Sequence, residues 1–100
     1  MSQVFTKYSE EYFVISMDFS PNMITGEVID PVQSLIVAHD PEGNDVSATV
    51  LDSSSKAVVD DIFLTIKVQA GTVETDYSIT FKAYISADKF LIEKVVMKVR

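Results

Sequence analysis

The sequence predicts an all-β chain, a two-sheet sandwich of about seven strands, and three observations carry that prediction. Residues 61–69 alternate Ile62, Leu64, Ile66 and Val68 with Phe63, Thr65, Lys67 and Gln69. Residues 77–85 do the same, with Tyr77, Ile79, Phe81, Ala83 and Ile85 set against Ser78, Thr80, Lys82 and Tyr84. A period of two is what a sheet wetted on one side requires. Turn signals recur roughly every 8 to 12 residues between short apolar segments, the spacing of sandwich strands. The two long strands flank a loop centred on Gly71 and read as a hairpin resting on one core.

The other elements follow in chain order. Residues 1–11 are polar around Val4, Phe5 and Tyr8 and read as an N-terminal arm or edge strand, its order dependent on a neighbour. The sandwich domain is placed at residues 12–100. Phe13, Ile15, Met17 and Phe19 share one face of the first confident strand, and Ser20-Pro21-Asn22 ends it, because proline removes a ladder donor. A short strand is expected over 27–29, closed by Asp30-Pro31. The compact apolar run at 33–39 reads as a central strand. Asp40-Pro41-Glu42-Gly43-Asn44-Asp45 is a turn signal, after which Val46, Ala48 and Val50 read as the returning strand of a hairpin. Residues 52–56 read as a solvated loop and 57–59 as a brief edge strand. The last segment, 90–100, fits both helical and strand spacing, and its β-branched residues favour strand.

One hundred residues, 47% apolar, suit a single domain with one core. Fifteen acidic against eight basic side chains give a formal charge of −7. Such a chain repels a phosphate backbone unless its cations gather on one face, so no nucleic-acid partner is expected. Lys94, Lys98 and Arg100 share strand parity and read as one solvated edge. The absence of cysteine excludes disulfides, thiolate metal sites and a cysteine nucleophile. No stretch approaches the ~18 apolar residues of a membrane helix, and no basic segment leads into an apolar run at the start. The expectation is a chain made without export and acting away from membranes.

Residues for catalysis are not assembled in the sequence, and neither enzyme activity nor a cofactor is expected. His39 is the sole histidine, so neither a Ser-His-Asp triad nor a pair of imidazoles on zinc can be built around a second one. Asp40, Glu42, Asn44 and Asp45 offer oxygen ligands of the kind calcium prefers, but the spacing fits no EF-hand loop and an ordinary turn is the simpler reading. Adjacent pairs such as Asp60-Asp61 point to opposite faces of a strand and form no carboxylate dyad. Tyr77 opens a late strand six positions after Gly71, where an immunoglobulin-type sandwich places a tyrosine whose hydroxyl bonds back to the preceding loop. Both residues are read as structural. What stands out is apolar side chains of the wrong parity for the core: Val14, Phe63, Tyr84, Ile92 and Val96. If the last two strands pair, Tyr84, Ile92 and Val96 meet on one outer surface, with Val14 and Phe63 on the other sheet. Such a patch suits a protein contact.

Taken together, Ile15-Ser16-Met17-Asp18-Phe19-Ser20, Met23-Ile24-Thr25-Gly26-Glu27-Val28-Ile29, Ala70-Gly71 with Tyr77-Ser78-Ile79-Thr80, and Glu93-Lys94-Val95-Val96-Met97-Lys98-Val99 resemble the small phage fiber-tail adaptor proteins. The chain departs from them in having no tryptophan, with Phe19 and Asn22-Met23 where members often carry one. The resemblance implies an immunoglobulin-like, non-catalytic virion structural protein of phage or prophage. It would connect tail and fibre components by self-association or by contact with other virion proteins, and would be assembled in the bacterial cytoplasm. The alternative is a carbohydrate- or calcium-binding immunoglobulin-like module of a larger surface assembly.

Overall fold

In a computed structural model that describes residues 3–100, seven strands form two sheets packed face to face. Met1 and Ser2 of the predicted arm lie outside the described residues. The strands are β1 (Gln3–Lys7), β2 (Phe13–Asp18), β3 (Leu35–His39), β4 (Leu51–Val59), β5 (Phe63–Val68), β6 (Thr75–Ser86) and β7 (Lys89–Val99). One sheet has the order β1-β7-β6-β3 and the other β2-β5-β4. The second, fifth and fourth strands thus face the third, sixth and seventh, the immunoglobulin arrangement. The first strand runs parallel to the last, with Phe5 opposite Met97 and Lys7 opposite Val99.

Both sheets turn their alternate apolar residues inward. From the four-stranded sheet come Tyr77, Ile79, Phe81, Ala83, Val95, Met97 and Val99, and from the three-stranded sheet Met17, Leu64, Ile66 and Val68, all buried. The strand reading of the last segment matches β7, which pairs along its length with β6.

Six local expectations are corrected by the structure. β5 and β6 share a core yet form no hairpin, because they lie in opposite sheets and residues 69–74 carry the chain across between them. β3 is an edge strand and not a central one, leaving Leu35 exposed on its outer side. No strand returns beside β3. Val46 N–H donates to Ala38 O at 2.9 Å and Ser47 Oγ accepts Ala38 N–H at 2.8 Å, which closes the ladder. A one-turn helix, α1 (Ser47–Val50), then lifts the chain into the other sheet.

Residues 52–56 belong to β4 and are not a free loop. Ser55 Oγ accepts Lys67 N–H at 2.8 Å and donates to Asp52 O, so a hydroxyl replaces a ladder carbonyl at the register shift between Asp52 and Ala57. Residues 27–29 form no strand, although Ile29 is buried and its N–H reaches Asp61 O at 3.0 Å. The N-terminal segment needs no neighbouring copy for its partner, since β1 bonds to β7 of its own chain.

Lys7 ends β1 with its side chain buried, and its Nζ donates to the carbonyls of Tyr8, Ser9 and Ala70. Three ammonium donors meet three acceptors, which offsets the cost of burying the charge. Burial still pushes its pKa below the ordinary 10.5, against the opposing pull of Glu11. Its parity with Phe5 is the sequence signal for this inward aim.

Candidate functional site

The outer face of the four-stranded sheet is where exposed apolar side chains line up on regular strands. Register fixes the rows. Val4 lies opposite Val96, which lies opposite Ser78 and then His39. Lys94 lies opposite Thr80 and Val37, and Ile92 opposite Lys82 and Leu35. Phe90 lies opposite Tyr84, the two rings stacking with centroids 4.5 Å apart and planes tilted by 34°. Val4 is 56% exposed, Ile92 49%, Leu35 47% and Phe90 43%. Cross-strand neighbours on one face are in side-chain contact range, so these rows make one surface.

Of the five residues singled out by parity, the structure brings Tyr84, Ile92 and Val96 onto this face. Val14 and Phe63 lie on the opposite outer surface. There Val14, 61% exposed, lies opposite Lys67, and Phe63 sits two rows away between Asp18 and Val59. Lys67 pairs with Asp52 at 3.4 Å and lies 5.5 Å from the Tyr12 ring centre, so charge interrupts that surface. Val4, Leu35 and Phe90 were not singled out from the sequence. Phe90 has the parity of Ile92, which is a readable signal; Val4 and Leu35 depend on pairing partners that no local pattern names.

The same face carries charge. Lys82, Lys94 and Lys98 sit on it by parity, and none of them has an ion pair among the described residues. Arg100 follows them and reaches Asp76 at 3.4 Å. These cations do not form the sheet edge that their spacing predicts, because β7 is flanked by β1 and β6.

The other candidates stand apart from this face or within its fabric. Thr72 N–H donates to Tyr77 Oη at 2.9 Å, so the buried tyrosine ties the 69–74 crossing to β6. Gly71 has φ +100°, and a Cβ there would lie 2.9 Å from Val99 Cγ2. The acidic turn is bonded to itself. Asp40 Oδ1 accepts Glu42 N–H and Asn44 N–H, and Asp45 Oδ1 accepts both the N–H and the hydroxyl of Ser47. These bonds hold both carboxyls below the ordinary 3.8, through Asn44 N–H first for Asp40 and the Ser47 hydroxyl first for Asp45. Among the described residues, no group of three or more His, Asp or Glu side chains is placed to hold a metal ion. His39 faces outward opposite Ser78.

A cleft of about 430 Å³ opens between the edge strands β1 and β2. Phe5, Phe13, Ile15, Met17, Phe81 and Val95 line it, and the rings of Phe5 and Phe13 meet edge to face at 5.9 Å. Compared with protein-family models the chain matches none, and comparison with curated proteins gives no match.

Proposed function

We propose that this chain is a non-catalytic structural protein that joins protein subunits through the outer face of its four-stranded sheet. The observation that carries the reading is the set of exposed apolar residues on one face of the four-stranded sheet, Phe90 and Ile92 on the doubly paired β7 and Val4 and Leu35 on the edge strands β1 and β3. Apolar side chains interleaved with lysines on a rigid sheet, Lys82 between Ile92 and Leu35 and Lys94 between Ile92 and Val96, suit a protein contact of mixed apolar and charged character. Its resemblance to phage fiber-tail adaptor proteins supports the reading of a phage or prophage virion component between tail and fibre parts, assembled in the bacterial cytoplasm in many copies.

Sedimentation across a concentration series tests this. The wild-type chain is expected to form a concentration-dependent oligomer, and Ile92→Asp to weaken it by about tenfold or more, as loss of a central contact residue does. A chain that stays strictly monomeric at high concentration counts against self-association through this face.

A further inference from the structure

Charge is distributed unevenly over the molecule. The outer face of the four-stranded sheet holds Lys82, Lys94, Lys98 and Arg100 against the carboxylates of Asp76 and of Asp45, which bridges His39, a formal +2. The whole chain carries −7, which leaves −9 on everything else. A segregation of this kind does not follow from solubility, which a uniformly acidic surface serves as well.

Carboxylates gather at both ends of the sandwich: Glu10, Glu11, Asp40, Glu42 and Glu74 at the end that holds the 69–74 crossing, and a second group at the opposite end, the one that carries the long 20–34 segment. Topology gathers Asp18, Glu27, Asp30, Asp60, Asp61 and Asp88 there: Asp18 ends β2 opposite Phe63, Asp30 N–H reaches Tyr84 O at 2.7 Å, and Ile29 N–H reaches Asp61 O at 3.0 Å. Lys89 is among them, paired with Glu27 at 2.7 Å, and Lys56 Nζ reaches Ser34 O at 2.7 Å beside Asp30. The same end exposes Ile24, Val28 and Val32 on the long 20–34 segment. It is therefore acidic and apolar together, as the sheet face is basic and apolar together. Asp60 and Asp61 have φ of 52° and 65°, forming a tight turn that presents both carboxylates to solvent.

We propose that the chain docks head to tail on a second copy of itself, the lysine-bearing sheet face of one copy receiving the acidic apolar end of the next. The inference rests on the docking role proposed for that face and adds the partner surface. The two surfaces differ, so the contact is heterologous and repeats into a ring or a filament instead of closing as a two-fold dimer. Opposite charges steer the encounter, and the contact weakens as salt screens them.

The test uses two charge variants of the full chain. Lys82→Glu/Lys94→Glu alters the face alone, and Asp60→Asn/Asp61→Asn/Asp88→Asn alters the end alone, asparagine being tolerated at positive φ. In sedimentation velocity at low salt, each variant alone is expected to associate about tenfold or more weakly than wild type. Mixed one to one, they are expected to form a heterodimer and stop there. The first supplies an intact end and the second an intact face, which permits one native contact and no more.

Heterodimers from the mixture also show that both variants are folded. Association that persists undiminished in either variant overturns the head-to-tail pairing and leaves docking through another surface standing. A wild-type chain that is monomeric at high concentration overturns both readings. So does a monomer that instead binds duplex DNA through the same lysines.

Discussion

A single atom separates glycine from alanine at position 71, and the fold has no room for it. The Cβ would press on Val99 Cγ2, and φ +100° is itself costly for any L side chain. Gly71→Ala is expected to cost about 1–3 kcal/mol, through strain and overpacking. A domain of this size then loses roughly 4–8 °C of melting temperature per kcal/mol, which a thermal scan by circular dichroism reads directly. Tyr77→Phe keeps the ring and removes only the acceptor of Thr72 N–H, so about 1 kcal/mol is expected. The ranking of the two is itself the check: a Tyr77→Phe variant that loses more than Gly71→Ala would mean that the hydroxyl, and not the close approach of backbone to Val99, holds the crossing.

Strands β3 and β4 show how one side chain redirects an element. The alternation of Val46, Ala48 and Val50 is strand-like, yet the chain there makes a helical turn, with Val50 N–H bonded to Val46 O at 3.1 Å. Ser47 is the cause, because its hydroxyl takes the Ala38 N–H that a returning strand would have paired, while Asp45 fixes the hydroxyl from the other side at 2.7 Å. Ser47→Ala leaves the N–H of fully buried Ala38 without an acceptor. The expected cost is about 1–3 kcal/mol in chemical denaturation, with faster hydrogen exchange at Ala38 than at Ile79 in the sheet interior. Unchanged exchange at Ala38 would show that water or a shifted strand replaces the hydroxyl. The serine run of β4 works by a related device, with Ser55 Oγ standing in the ladder at a bulge. Hydroxyls next to their own backbone compete with regular pairing, which is why a Ser-rich stretch reads as loop and folds as bent strand.

Across the whole molecule, five carboxylates are held below their ordinary pKa by hydrogen bonds that exist only in the folded chain. They are Asp18 through Ser20, Glu27 through Ile24 N–H and then Lys89, Asp40 through Asn44, Asp45 through Ser47, and Asp52 through Ser54. Their ordinary values are 3.8 for aspartate and 4.5 for glutamate. Below those values the unfolded chain binds protons that the folded chain still excludes, so stability is full above this range and falls as pH drops through the lowered folded values. Melting temperature is expected to hold steady from about pH 7 to about pH 5 and to decline below about pH 4. Asp40→Asn/Asp45→Asn should flatten the decline, and an unchanged acid limb in that variant would assign it to other groups. Burial of Lys7 acts at the opposite extreme: its pKa is lowered by desolvation, so the folded chain gives up a proton that the unfolded chain keeps, and stability rises with pH as the ordinary 10.5 is approached from below.

The sequence by itself determined which residues face inward along β2, β5, β6 and β7, because the period of two is a local property that burial on one side imposes on each strand separately. It also placed Tyr84, Ile92 and Val96 on an outer surface, since parity needs no knowledge of the partner strand. Apart from β6 with β7, whose pairing the immunoglobulin-like order implies, tertiary structure alone decided which strands pair. Assigning β5 and β6 to opposite sheets, leaving β3 at an edge, and setting Val4 and Leu35 beside the parity-marked residues are consequences of hydrogen bonds between segments far apart in the chain. An alternating pattern fits a strand in either sheet equally well, and the choice falls to the closure of a shared core and to hydroxyls such as Ser47 that end a ladder locally.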